Sequence, residues 1–128
     1  MKNQEFEEQV VVVNYLKTRY PDVLFMSDLS GIWMPKLLAF KLARIRGTRG
    51  IPDIIIFEKR GGCSGLAIEL KASTKPVTKK NGELKKDEHI EEQAFVQDKL
   101  RKQGWMAEFC IGAEQAIKLI DLYMSSSD

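Results

Sequence analysis

Residues 50–71 read GIPDIIIFEKRGGCSGLAIELK. Two β-rich apolar runs, 51–57 and 66–70, flank the polar connection Glu58-Lys59-Arg60-Gly61-Gly62. This predicts a hairpin with a connection longer than two residues. Each run carries charge where a buried strand should carry none. Asp53 lies near the start of the first run, and Glu69 and Lys71 close the second. Side chains alternate along a strand, so Glu69 and Lys71 share a face and Leu70 points away. Antiparallel pairing sets Asp53 opposite the end of the second run. Two carboxylates and an ammonium then converge, which suits a divalent cation with a fixed positive charge beside it. A strand-end ion pair with Lys71 is the other reading of the same residues.

Outward from this segment, residues 3–20 carry helical spacing, with Phe6, Val10, Val13, Leu16 or Lys17, and Tyr20 on one face, and Pro21 as the stop. Residues 23–26 suit a short strand or the lead into a loop. A second helix is expected from Trp33 or Met34 to Arg46, with Pro35 in its first turn and Leu38, Leu42 and Ile45 recurring at helical spacing. On the other side, residues 72–86 are polar and lysine-rich and hold a Pro and an Asn-Gly, so they read as a loop. Asp87 suits an N-cap for a helix ending at Gln103, with Ile90, Ala94, Phe95 and Leu100 as its apolar positions and Gly104 as its terminator. Residues 105–111 form a last strand and 113–124 a closing helix, before a frayed 125–128. The expected architecture is one α/β domain over 1–128, with a central mixed sheet of about four strands and helices on both faces.

The chain has 128 residues, 44% of them hydrophobic and 30% charged, with a net charge of only +2. That composition fits a soluble globular chain, expected in the cytoplasm and without a membrane segment, since no run nears the ~20 apolar residues a span needs. Its acidic, polar start is not a secretory leader pattern. Cys63 and Cys110 form no CxxC pair and read as reduced thiols. The single histidine, His89, excludes a histidine-rich zinc site and a two-histidine acid–base pair. His89 reads as a surface residue at a helix start, and Trp33 and Trp105 as core or interface groups rather than base-stacking ones.

The chemistry open to such a site is phosphoester hydrolysis. In-line attack of water on a phosphodiester needs stabilisation of charge at phosphorus and a means of making hydroxide available. Mg²⁺ takes oxygen ligands and keeps several waters, so Asp53, Glu69 and the main-chain carbonyl of Leu70 suffice as a protein ligand set. Lys71 then orients the water and offsets negative charge. Glu83-Leu84-Lys85 repeats the Glu-Leu-Lys letters, but it follows Asn81-Gly82 in a polar loop and not an apolar strand. On the first helix Glu5 and Gln9 share a face and Glu5 can complete the metal shell, with Glu8 and Glu7 as rivals. Lys36, Lys41, Arg44, Arg46 and Arg49 fall in a stretch without acids, 33–52, and Lys75, Lys79 and Lys80 follow Lys71. Basic runs on both sides of a carboxylate site suit phosphate contacts. No pattern suggests a base-reading recognition helix.

Gly50-Ile51-Pro52-Asp53 followed by Ile68-Glu69-Leu70-Lys71 resembles the Pro-Asp…Glu-x-Lys signature of restriction-endonuclease-like nucleases. The flanks resemble the virus-type replication–repair nuclease (VRR-NUC) family nearly end to end. The shared features are Glu5-x-x-x-Gln9, Tyr20-Pro21, a basic helix before Gly50, the 65–71 run, Gln93, Leu100 and Gly104-Trp105. Two stretches depart from the family pattern: Ser27-Asp28-Leu29-Ser30-Gly31 replaces an Asn-Gly-type loop, and 72–86 is longer than usual. The resemblance implies a restriction-endonuclease-like core and a Mg²⁺- or Mn²⁺-dependent endonuclease. It implies Asp53 and Glu69 as ligands, Lys71 as catalytic and Gln93 as supporting the site. The substrate class it implies is branched DNA such as four-way junctions, cut in replication or repair by a homodimer. A DNA-binding module without catalysis and a phosphoesterase on small nucleotides are the alternatives.

Overall fold

The computed structural model describes residues 3–29, 32–74 and 77–127. In chain order its elements are α1 (Asn3–Arg19), β1 (Phe25–Ser27), α2 (Lys36–Ile45), β2 (Ile54–Ile56), β3 (Leu66–Lys71), α3 (Glu88–Lys102), β4 (Met106–Ile111) and α4 (Ala113–Ser125). The strands form one sheet in the order β1-β2-β3-β4. The first two pairings are antiparallel and β3–β4 is parallel, with α3 as the crossover that parallel pairing requires. The expected mixed four-stranded sheet is present.

Alternation along β2, β3 and β4 sorts the core into two layers. Ile54, Ile56, Leu66, Ile68, Leu70 and Cys110 face α1 and α4, where Val12, Leu16, Ile120 and Tyr123 are buried against them. Burial of each large side chain in this layer stabilises the fold by roughly 1.5–3 kcal/mol. The opposite face holds a smaller cluster, Ile55, Ala67 and Ala107, with Leu100 and Trp105 packed on it. Asp53, Glu69 and Lys71 belong by parity to this thinner face, beside α3. Polar groups can lie there without displacing the main core.

Several expectations change in detail. The first hairpin strand pairs only over Ile54–Ile56; Pro52 lacks a ladder donor, and β1 is itself only three residues long. The hairpin connection tightens to a two-residue turn. Arg60 and Cys63 bond each other through main-chain atoms, and Gly61 and Gly62 both have positive φ, as a primed turn demands. The excursion at 72–86 closes on itself through Lys79, Glu83, Val77 and Lys85 around Asn81–Gly82. Ser127 is held by a bond to Gly61 N–H, so the C-terminal stretch is ordered through it.

Helix faces depart more. On α1 the buried stripe is Gln9, Val12 and Leu16, while Phe6 and Val10 are exposed. On α3 it is Val96 and Gln97; Phe95 lies outside, under Lys99. Pro35 caps α2 and does not sit within it, and no α2 residue is buried. Ile45 is 80% exposed, and Trp33 is 84% exposed and not part of the core. Trp105 does pack inward, edge-on to Phe57. No helix among the described residues is long and apolar enough to cross a membrane.

Candidate metal and phosphoester site

β3 outruns β2 at one end, and the site lies in the gap. Extending the β2–β3 register by one step sets Asp53 opposite Glu69. Gly50 makes the approach to β2 possible. It has φ +84, and a Cβ there would meet Glu92 and Val96 of α3 at 3.1–3.2 Å. The Asp53 carboxylate accepts the main-chain N–H of Leu70 at 2.9 Å. Glu69 is 3% exposed. Its Oε2 accepts Gln93 Nε2 at 3.1 Å and lies 3.8 Å from Lys71 Nζ. Thus α3 brings Gln93 to the carboxylates across the long 72–86 excursion, and Asp53, Glu69, Lys71 and Gln93 form one group. Asp87 caps α3 as expected, accepting the N–H groups of His89 and Ile90.

Burial raises Glu69 to about 10, helped by the charge of Asp53 and a hydrogen bond with it; Lys71 opposes the rise and Glu5 adds to it. Asp53 is raised too, chiefly by burial, with Glu5 and Asp28 pushing the same way and its bonds from Glu69 and Leu70 opposing. The pair retains a proton at neutral pH because one ammonium 3.8 Å from Glu69 does not offset two neighbouring, poorly solvated negative charges. Gln93 Oε1 is buried beside them without a hydrogen-bond partner among the described residues.

These features fit a hard divalent cation with bound water. Two adjacent carboxylates lack sufficient positive charge, and a buried acceptor lacks a donor. Asp53, Glu69 and the Leu70 carbonyl would hold the ion. Among the described residues no three His, Cys, Asp or Glu side chains converge as a metal-holding group, so water would have to supply the remaining ligands, which Mg²⁺ tolerates. Glu5 acts on both acids through its charge. Its rival Glu8 is engaged elsewhere, accepting the N–H groups of Ser73 and Ala113 at 3.3 Å each.

A cleft of about 490 Å³ opens over the pair, lined by Met26, Asp28, the 46–53 segment, Glu69, His89, Glu92 and Gln93. Arg46 and Arg49 stand on its wall, Arg49 in an ion pair with Glu92 at 3.7 Å. His89 faces the same space. Lys36, Lys41 and Arg44 are on exposed α2, and Lys79 and Lys80 on the exposed excursion, none of them lining the cleft. Lys75 lies outside the described residues, as do Ser30 and Gly31 of the loop after β1.

Sequence reasoning missed Asp28. Its N–H donates to the Asp53 carbonyl at 2.7 Å, and Gln9 Nε2 holds the loop through Ser27 Oγ and the Asp28 carbonyl. The signal was the β1–β2 register: Ser27 pairs with Ile54, so the next residue on each side is Asp28 and Asp53.

Fold and site define a restriction-endonuclease-like, nuclease-like α/β domain. Across its full length the chain is similar to a solved structure described as "VRR_NUC domain protein", 26% identical, with a TM-score of 0.65 and 93% of that chain covered. The VRR-NUC resemblance read from the sequence therefore holds for the three-dimensional structure as well. No family model matches the chain, and no curated protein matches it.

Proposed function

We propose that this chain is a Mg²⁺- or Mn²⁺-dependent endonuclease that hydrolyses phosphodiester bonds of branched DNA, four-way junctions above all. The observation that carries the reading is the Asp53–Glu69 pair, Glu69 buried and Asp53 half-buried, with Lys71 3.8 Å from Glu69, under a cleft walled by Arg46 and Arg49. Asp53, Glu69 and the Leu70 carbonyl would hold the cation, with both acids ionised. When bound, the cation stabilises charge on the phosphoryl oxygens and makes hydroxide available near neutral pH. Lys71 orients the attacking water and offsets the charge growing on the phosphate. Gln93 fixes Glu69 through Nε2 and has its free Oε1 to accept from water. Arg46 and Arg49 hold backbone phosphates, with Arg49 exchanging Glu92 for phosphate.

The cleft is open, and among the described residues no element carries the side-chain pattern of a base reader, which favours recognition of DNA shape over sequence. A junction is resolved by two opposed nicks, so two copies act together. The test is incubation with duplex, flap, single-stranded and four-way-junction DNA in Mg²⁺, Mn²⁺ or EDTA. Paired symmetric nicks in the junction, abolished by EDTA, are expected. Intact DNA in every metal condition rejects the reading.

A further inference from the structure

Helix α2, KLLAFKLARI, has no buried residue, and Leu42 is its one half-buried side chain. Leu42 therefore marks the side turned toward the protein. Successive helical residues are about 100° apart, so the direction opposite Leu42 falls between Phe40 and Arg44. Around this outward face the order is Lys36, Phe40, Arg44, Leu37, Lys41. Phe40 is 62% and Leu37 68% exposed. The Arg44 guanidinium lies 6.0 Å from the centre of the Phe40 ring. Just ahead of the helix is Trp33, which the sequence suggested as a core or interface group and which is instead exposed.

Two aromatic rings and three cations thus share one open surface, in a stretch, 33–52, that contains no acid. A helix that docks by an apolar stripe keeps its charges off that stripe. Here Phe40 and Leu37 stand between Lys36, Arg44 and Lys41. Interleaved rings and cations are what a single polynucleotide strand needs, since cations follow its phosphates and rings stack on its bases. A paired duplex meets only half of that, because its base faces are covered within the stack. The helix also leads into the cleft. Arg46 follows its last residue and opens the 46–53 segment that lines the cleft, with Arg49 further along.

We propose that the outward face of α2, together with Trp33, binds unpaired nucleotides of the DNA strand that enters the cleft. Bases stack on Trp33 and Phe40, and Lys36, Lys41 and Arg44 hold the phosphates between them. The charges are complementary, and Arg46 and Arg49 continue the cationic track to the Asp53–Glu69 pair. The proposal rests on the reading of the cleft as a DNA site. It gives branched DNA a physical handle: a branch point is where single strands leave the duplex.

The test uses the full chain in EDTA, which keeps DNA intact. Oligothymidylate quenches the tryptophan fluorescence saturably, because Trp33 is exposed whereas Trp105 packs against Phe57. Trp33→Phe retains most of the affinity and loses the quench. Trp33→Ala/Phe40→Ala weakens oligothymidylate binding about a hundredfold, roughly tenfold per ring, and alters affinity for blunt duplex less than about threefold. Both positions are exposed, and unchanged far-UV circular dichroism verifies folding. Unaltered single-strand affinity in the double variant overturns the proposal, as does an equal loss on single strand and duplex. So does a Trp33 response to phosphatidylglycerol vesicles but not to oligothymidylate, or a wild-type dimer that the double variant dissociates in sedimentation. The two readings fail separately. If the quench and its loss are observed but no form cuts DNA in Mg²⁺, the nuclease reading falls and the α2 surface stands. Cleavage by a double variant of unaltered single-strand affinity gives the reverse.

Discussion

Leu70 donates its main-chain N–H to Asp53 Oδ2 at 2.9 Å, across the open end of the β2–β3 pair. The carboxylate takes the place a β2 carbonyl would hold had β2 continued. In an extended strand the N–H and C=O of one residue point to the same edge. The Leu70 carbonyl therefore looks toward Asp53, and the Lys71 carbonyl toward the other edge, where it accepts Gly112 N–H at 2.8 Å. A short strand beside a longer one thus creates an oxygen-rich notch.

Replacing Asp53 with Asn keeps an acceptor for Leu70 N–H but removes a charge from beside Glu69. Cleavage should fall at least about a hundredfold, the scale of losing an electrostatic group at the reacting centre. Stability in EDTA at neutral pH should rise, on the order of 1 kcal/mol, because the desolvated negative charge at Asp53 is gone. Paired nicking assays and urea melts check the two signs. A variant both inactive and less stable contradicts the argument.

The pH dependence has a definite direction. Folded Glu69 keeps its proton up to about 10, while in the unfolded chain it releases it near its ordinary 4.5. Between those values the folded state binds more protons, so stability falls as pH rises. Below 4.5 both states hold the proton, so this slope vanishes and the stability is at its full value. Metal-free protein should be more stable at pH 5 than at pH 8, with a slope of up to about 1.4 kcal/mol per pH unit. Saturating Mg²⁺ should flatten or reverse that slope by binding the ionised pair. Denaturant midpoints at the two pH values, with EDTA or Mg²⁺, measure it.

The sheet and the site core were legible because both follow period-two alternation. Asp53, Glu69 and Lys71 stood out as charges in apolar runs, and their parity placed them together. Helix faces were harder to read. Positions such as Phe6, Val10 and Ile45 are apolar by sequence yet exposed, and periodicity cannot tell a face that meets the core from one that meets nothing in the same chain. Gln9 and Gln97 are buried although polar, since Gln9 ties the Ser27–Asp28 loop to α1 and Gln97 accepts from Arg101. Asp28 was hidden because its role depends on β1–β2 register, which a three-residue strand signals only weakly.

Gln93 donates to Glu69 and lines the cleft beside it, so it acts as a positioning residue. Gln93→Ala should weaken apparent Mg²⁺ affinity or activity about 10–100-fold, the usual scale for groups that orient metal ligands. Gln93→Glu should do worse, because it adds a third acid to a pair that already retains a proton. A Mg²⁺ titration of cleavage rate separates affinity from turnover. An Ala variant with unchanged Mg²⁺ dependence removes Gln93 from the site.

Glu5 and Glu8, three residues apart on α1, should have separable roles. Glu8 accepts N–H groups of Ser73 and Ala113. It thereby caps α4, whose preceding residue, Gly112, supplies no side-chain cap. Glu8→Ala should cost about 1 kcal/mol of stability, as loss of a helix cap does, and leave metal-dependent cleavage near wild type. Glu5, by contrast, helps to raise both Asp53 and Glu69 through its charge. Glu5→Ala should therefore leave stability unchanged or slightly higher in EDTA and weaken Mg²⁺ binding. Thermal melts and Mg²⁺ titrations of both variants decide the assignment. If Glu8→Ala is the variant that loses Mg²⁺ response while Glu5→Ala is the one that unfolds early, the two roles are exchanged.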